Sequence, residues 1–358
     1  MHIRRRLLLA TAALPVAGPA RGAVRYPVVT PRPLVFPRDH GAHPDYRTEW
    51  WYLTGQLDVQ PQPVGVQITF FRARTPIDPA NPSRFAAQQL VIAHAAIADP
   101  ARGSLLKDER VARAGFGVVQ AAQADTDVRL DRWRLRREAD GRYACEVPAR
   151  GFTLRFTATP TQPLLLQGRD GFSQKGPQPG QASFYYSQPQ LVLDAQIERD
   201  GRTLAARGRA WLDHEWSTAV LDDSGAGWDW IGMNLDDGSA LTAFDIRRKG
   251  GGAPVYGYAS LRAAGSTRVQ VVAPEHVRFE PVERWRSPRT RAEWPVAQRI
   301  TVGQRVFETR PLLADQELDS RASTGAVYWE GASTLWENGR RVGAGYLEMT
   351  GYLAPIVL

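Results

Sequence analysis

From about residue 48 onward the chain is dominated by short runs in which apolar and polar positions alternate. Alternation sends successive side chains to opposite faces of a strand. It predicts strands at residues 50–57, 64–71, 90–97, 150–158, 191–198, 231–235 and 240–246. Turn dipeptides punctuate these runs: Asp140-Gly141, Asp200-Gly201, Asp237-Gly238 and Asn338-Gly339. No window carries a helical apolar stripe of about ten residues or more. The expected class is all-β, with many short antiparallel strands closed into barrels or sandwiches.

The pattern repeats. Residues 50–58, opening Trp50-Trp51-Tyr52-Leu53, line up with residues 228–236, opening Trp228-Asp229-Trp230-Ile231. After a turn, residues 66–72 line up with residues 241–247, each ending in arginine. A weaker echo joins residues 208–212 with 345–349. Two similar β-domains follow, 39–217 and 218–358, with 24–38 as a proline-rich lead-in and 1–23 as a targeting segment. Eight or so strands per half would close into a barrel that holds its own side chains or one small ligand.

Composition narrows the class. With 358 residues, 43% hydrophobic and 23% charged, the chain supports two packed cores. Part of the formal charge of +8 sits in Arg4, Arg5, Arg6 and Arg21, and no dense basic run follows. Nucleic acid is therefore not an expected partner. Arg4-Arg5-Arg6, the apolar residues 7–16 and the alanines Ala20 and Ala23 read as a Sec or twin-arginine export signal. The expected location is periplasmic, with no transmembrane segment in the mature chain. A single cysteine, Cys145, leaves no internal disulfide framework.

Several chemistries lack their signatures. There is no Gly-x-Ser-x-Gly elbow, no phosphate-cradling loop and no His-Glu-x-x-His pair. His40 and His43 have His-x-x-His spacing but lie beside Gly41 and Pro44, which favours a capped loop over a metal site. No metal or cofactor is expected. The densest constellation is Trp211-Leu212-Asp213-His214-Glu215-Trp216. On a strand, His214 shares a face with Leu212 and Trp216, while Asp213 and Glu215 share the other with Trp211. Burial against indoles would disfavour the charged forms and suit these groups to proton transfer; the plainer alternative is a hydrogen-bonded tie between the domains. Glu49, Glu330 and Glu348 adjoin aromatic residues and are costly to bury unpaired. His94 lies in an apolar strand, and Asp245 shares a face with Arg247. Of the 11 tryptophans, Trp50, Trp216, Trp228, Trp230 and Trp329 are the expected ligand-lining indoles, together with Glu49, His94 and Glu330.

The segments beginning Glu49-Trp50-Trp51-Tyr52, Trp211-Leu212-Asp213-His214, Gly227-Trp228-Asp229-Trp230, Tyr328-Trp329-Glu330-Gly331 and Gly345-Tyr346-Leu347-Glu348 resemble the AttH-like group. That group includes carotenoid 1,2-hydratases (hydroxyneurosporene synthases), and the resemblance runs from Asp39 to the C-terminus. It implies two lipocalin-like barrels packed together and a hydrophobic small-molecule ligand. It implies a His-x-Trp element at His214 and Trp216, with Asp245 as counterpart of the family's aspartate acid. A hydrolase label used for the group finds no serine or metal motif here.

Two functions follow as expectations. One is cofactor-free acid–base hydration or hydrolysis of an isoprenoid or lipid-like molecule, with His214, Glu215, Asp245 and Asp213 as catalytic residues. The other is a non-catalytic periplasmic lipid carrier that works with components of an envelope ABC transporter.

Overall fold

The computed structural model describes residues 24–356 apart from Asp222; the export-signal segment 1–23 lies outside the described residues. Among the described residues the chain forms two antiparallel sheets, of 13 and 10 strands. One closes into a nearly complete barrel and the other into a half-barrel. No described helix is long and apolar enough to cross a membrane.

The predicted strands appear with extended ends, as Thr48–Leu57, Val64–Arg74, Gln89–Asp99, Phe152–Thr159, Ala182–Arg199, Gly225–Leu235 and Ala240–Arg248. The turn dipeptides sit between strands. Asp200-Gly201 and Asn338-Gly339 place both residues at positive φ, between 50° and 75°, the twist that a tight hairpin requires.

The two sheets share a topology. In the first, Thr48–Leu57 lies between Val64–Arg74 and the last strand, Arg202–Ser217. In the second, Gly225–Leu235 lies between Ala240–Arg248 and the last strand, Arg340–Thr350. Leu53 pairs with Leu212 and Ile231 with Leu347, so the final strands correspond two residues away from the echo read in the sequence. The corrected register matches Gly208 to Gly343, Trp211 to Tyr346 and Asp213 to Glu348. Both matched glycines are crossing points. A Cβ on Gly208 would lie 1.9 Å from the Gln56 carbonyl oxygen, and one on Gly343 would lie 2.6 Å from that of Asn234.

Alternation also sorts the cores. Trp51, Leu53 and Leu57 point into the first barrel beside Leu212, and Ile231, Met233 and Leu235 fill the second beside Leu347. Of the two alternatives for a barrel interior, its own side chains or a small ligand, the first barrel shows the former: its inward positions are large apolar side chains in mutual contact. The half-barrel keeps a largely apolar groove of about 560 Å³ lined by Leu261, Val272 and Phe307. The opposite faces of the same strands meet each other. Tyr52, Trp211, Trp230, Phe244, Ala332 and Tyr346 form a third apolar cluster between the halves. Gln56 Nε2 donates to the Ser333 and Gly345 carbonyls, and Asn234 Nδ2 donates to that of Ala210, which locks the sheets face to face.

Candidate functional site

A cleft of about 100 Å³ opens between the two halves. Its walls come from corresponding strands: Trp50 and Tyr52 from the first half, Trp228 and Trp230 from the second. Asp213, Glu215, Glu330, Glu348 and Lys175 also line it. Thus Asp213, Glu215, Trp50, Trp228, Trp230 and Glu330, singled out in the sequence, converge on one cavity.

The carboxyl groups are held in different ways. Asp213 accepts hydrogen bonds from Tyr185 Oη (2.6 Å), Ser187 Oγ (2.5 Å) and Trp211 Nε1 (2.6 Å). Burial pushes its carboxyl up to about 7, against the pull of those three donors. Trp230 Nε1 donates to Tyr185 Oη from one sheet to the other at 3.1 Å. Glu348 accepts from Trp228 Nε1 at 2.8 Å and is also pushed up to about 7, first by burial. Glu330 and Glu348 are direct cross-strand partners. Burial first, and then the Glu348 charge, push Glu330 well above the usual carboxylate range. Like-charged neighbours do not both ionise readily, so burial and mutual repulsion favour keeping a proton on the pair. Glu330 Oε2 has no hydrogen-bond partner. Glu215 forms an ion pair with Lys175 Nζ at 2.9 Å.

His214 and Trp216 face the other way. At the end of the first barrel, Glu49 Oε1 accepts from His214 Nε2 (3.0 Å) and His43 Nδ1 (2.8 Å), and Glu49 Oε2 accepts from Arg72 Nε (2.7 Å). Burial opposes the Glu49 charge, yet these partners hold its carboxyl well below the usual range. His43 stacks on Trp216 with ring centroids 3.7 Å apart, and its Nε2 meets Asp39 Oδ1 at 3.0 Å. Burial lowers His214, although Glu49 pulls it up. The ligand atoms of His43, Glu49 and His214 lie within 4.8 Å of one another. Arg72 already supplies a cation there, and the imidazole nitrogens facing Glu49 are committed to it, so the set fits a closed hydrogen-bond network better than an ion site.

The remaining residues disperse. Asp245 lies on the inner face of the half-barrel opposite Asp229, where burial and then the Asp229 charge push it up to about 7. Trp329 is packed in the half-barrel core and donates to the Ala314 carbonyl at 2.9 Å. His94 sits between the halves, bonded through Nδ1 to Tyr328 Oη and through Nε2 to Ser323 Oγ (2.9 Å). Burial, with Lys107 nearby, lowers it to about 3. Asp245 and the His214–Trp216 element therefore do not share a cavity with Asp213 and Glu215. Sequence reasoning left out Lys175, Tyr52 and Tyr185, and it noted Glu348 beside aromatic residues without assigning it to the site. The Glu348 role was readable only with the corrected register, which makes it the counterpart of Asp213. Lys175 comes from an irregular Gly- and Pro-rich segment that carries no periodic signal.

Comparison with known proteins places this architecture. A family model described as AttH-like matches residues 27–352. The chain belongs to the AttH-like family. AttH from Nitrosomonas europaea is 50% identical with a TM-score of 0.86, over 92% of this chain and 100% of that one. Kievitone hydratase from Nectria haematococca shares the fold at 14% identity and a TM-score of 0.67, over 92% of this chain and 96% of its own. CghA, solved with Sch210972, shares it at 13% identity and a TM-score of 0.51, over 86% and 89%. A search of curated proteins returned no match. The AttH-like fold thus includes a hydratase among its solved relatives, and its two-sheet arrangement creates the cleft seen here.

Proposed function

We propose that this AttH-like protein is an acid–base enzyme that hydrates an apolar, alkene-bearing small molecule of isoprenoid or lipid-like character in the interdomain cleft. On the reading of residues 1–23 as an export signal, it acts in the periplasm. The observation that carries the proposal is the burial of Asp213, Glu330 and Glu348 together between indole walls, with one Glu330 oxygen free of any partner. A carrier needs apolar lining but no such proton store.

The chemistry balances without a cofactor. The proton held by Glu330 and Glu348 passes to the less substituted alkene carbon, and the π pair forms the new C–H bond. The positive charge left on the tertiary carbon lies against the faces of Trp50, Trp228 and Trp230, each contact contributing about 0.5–2 kcal/mol. Water donates a lone pair to that carbon, and its surplus proton passes to a cleft carboxylate, with Asp213 poised near neutrality to receive it. Return of that proton from Asp213 to the Glu330–Glu348 pair through solvent restores the acid, and the net change is the addition of one water. The fold shared with kievitone hydratase supports hydration as the reaction class by analogy.

The test is incubation with a panel of isoprenoids bearing trisubstituted alkenes in ¹⁸O-labelled water, followed by mass spectrometry. Labelled alcohol should form, and Glu330→Gln should slow it by about 10²-fold or more. Undiminished turnover by Glu330→Gln, or no labelled product from any member, would overturn the proposal.

A further inference from the structure

Three features of the cleft go beyond proton transfer to an alkene. Glu330 Oε2 and the Tyr52 hydroxyl lack hydrogen-bond partners, although the two residues are only 4% and 3% exposed and both line the cavity. Four carboxyl groups, those of Asp213, Glu215, Glu330 and Glu348, share the lining with a single basic group, Lys175. The cleft also already holds one ammonium group against rings. Lys175 Nζ lies 4.6 Å from the Tyr185 ring centroid and 4.2 Å from that of Phe244, in addition to its ion pair with Glu215.

We propose that the cleft binds organic cations, in particular a quaternary or tertiary ammonium carried on a small apolar group. The charge would sit at Glu330 and Glu348, and the apolar part on Trp50, Trp228 and Trp230. The inference rests on the preceding reading only for the position of the ligand, and it requires no reaction. Buried carboxylates gain from a fixed positive partner. Indole faces attract the same charge through the ring quadrupole. A cation with no proton of its own replaces the proton that Glu330 and Glu348 retain, so protonated site plus ligand gives complex plus one released proton. The other titratable groups facing this pair are Asp213, Glu215, Lys175, Tyr52 and Tyr185, with Tyr328 and Tyr346 alongside Glu330. Burial raises all four tyrosines, so they stay neutral through pH 7.

The experiment compares benzyltrimethylammonium with its neutral isostere neopentylbenzene by tryptophan fluorescence titration of the full chain. Calorimetry in buffers of different ionisation enthalpy counts protons. The cation should bind about tenfold tighter than the isostere, release about one proton near pH 7, and bind more tightly as pH rises. Glu330→Gln with Glu348→Gln should remove both the preference and the proton release while leaving neopentylbenzene binding in place. Lys175→Met should tighten the cation, because it removes a competing charge. Equal affinity for the two probes, or cation binding without proton release, would overturn the proposal. Alkene turnover without cation preference would sink this inference and leave hydration standing; cation preference in a protein inert to every alkene would do the reverse.

Discussion

A buried carboxyl makes folding depend on pH in a direction that its shift dictates. Asp213 and Glu348 titrate near 7 in the folded protein and near the ordinary carboxyl range when unfolded. Below pH 4 both states hold the proton. Between about pH 4 and 7 the unfolded chain ionises while the folded chain does not, so stability falls with rising pH and then levels. His94, lowered to about 3, works the opposite way, since its contribution is lost as pH falls from about 6.5 towards 3. Urea unfolding of Glu330→Gln/Glu348→Gln from pH 4 to 8 should show less loss of stability on the alkaline side than the parent. An unchanged profile would mean that these carboxyls ionise freely in the folded protein. Arg72 is a second residue with a sharp expectation. It is 2% exposed and paired with Glu49, which is 0% exposed. Arg72→Ala leaves a buried carboxylate short of its cation and should cost about 3–5 kcal/mol in the same assay.

Individual strands were largely legible, because alternation and turn dipeptides report the local backbone directly. The pairing of Thr48–Leu57 with Arg202–Ser217 was not, since register depends on contacts between distant segments. The weak echo at residues 208–212 was placed two positions away for that reason: Gly345 offered a glycine match, whereas the crossing glycine that answers Gly208 is Gly343. Gly208→Ala forces a methyl group towards the Gln56 carbonyl and should cost about 1–3 kcal/mol or shift the strand. Gly343→Ala should cost less than Gly208→Ala, because its approach to the Asn234 carbonyl is wider, at 2.6 Å. Facing was legible too. The split of His214 and Trp216 from Asp213 and Glu215 follows from strand alternation, and it is what separates the Glu49 network from the cleft.

At the scale of the molecule, the repeat does more than build two similar halves. It sets equivalent faces against each other, so Trp50 meets the environment of Trp228, and Asp213 and Glu348, matched in register, line one cavity. No single half contains this site, so a reading of each half by itself could not assemble it. The Trp230–Tyr185–Asp213 hydrogen bonds cross the boundary and make the geometry of the acid depend on the docking of the halves. Trp230→Phe should therefore shift the pH dependence of alkene turnover while leaving the fold intact by circular dichroism.

Anomalous diffraction from crystals of the protein soaked with a bromine-labelled isoprenoid alkene would locate the guest without reference to any activity. Bromine density between Trp50 and Trp230, beside Asp213 and Glu330, is the predicted result. Density among Leu53 and Leu212 inside the first barrel, or in the groove at Leu261 and Phe307, would contradict it.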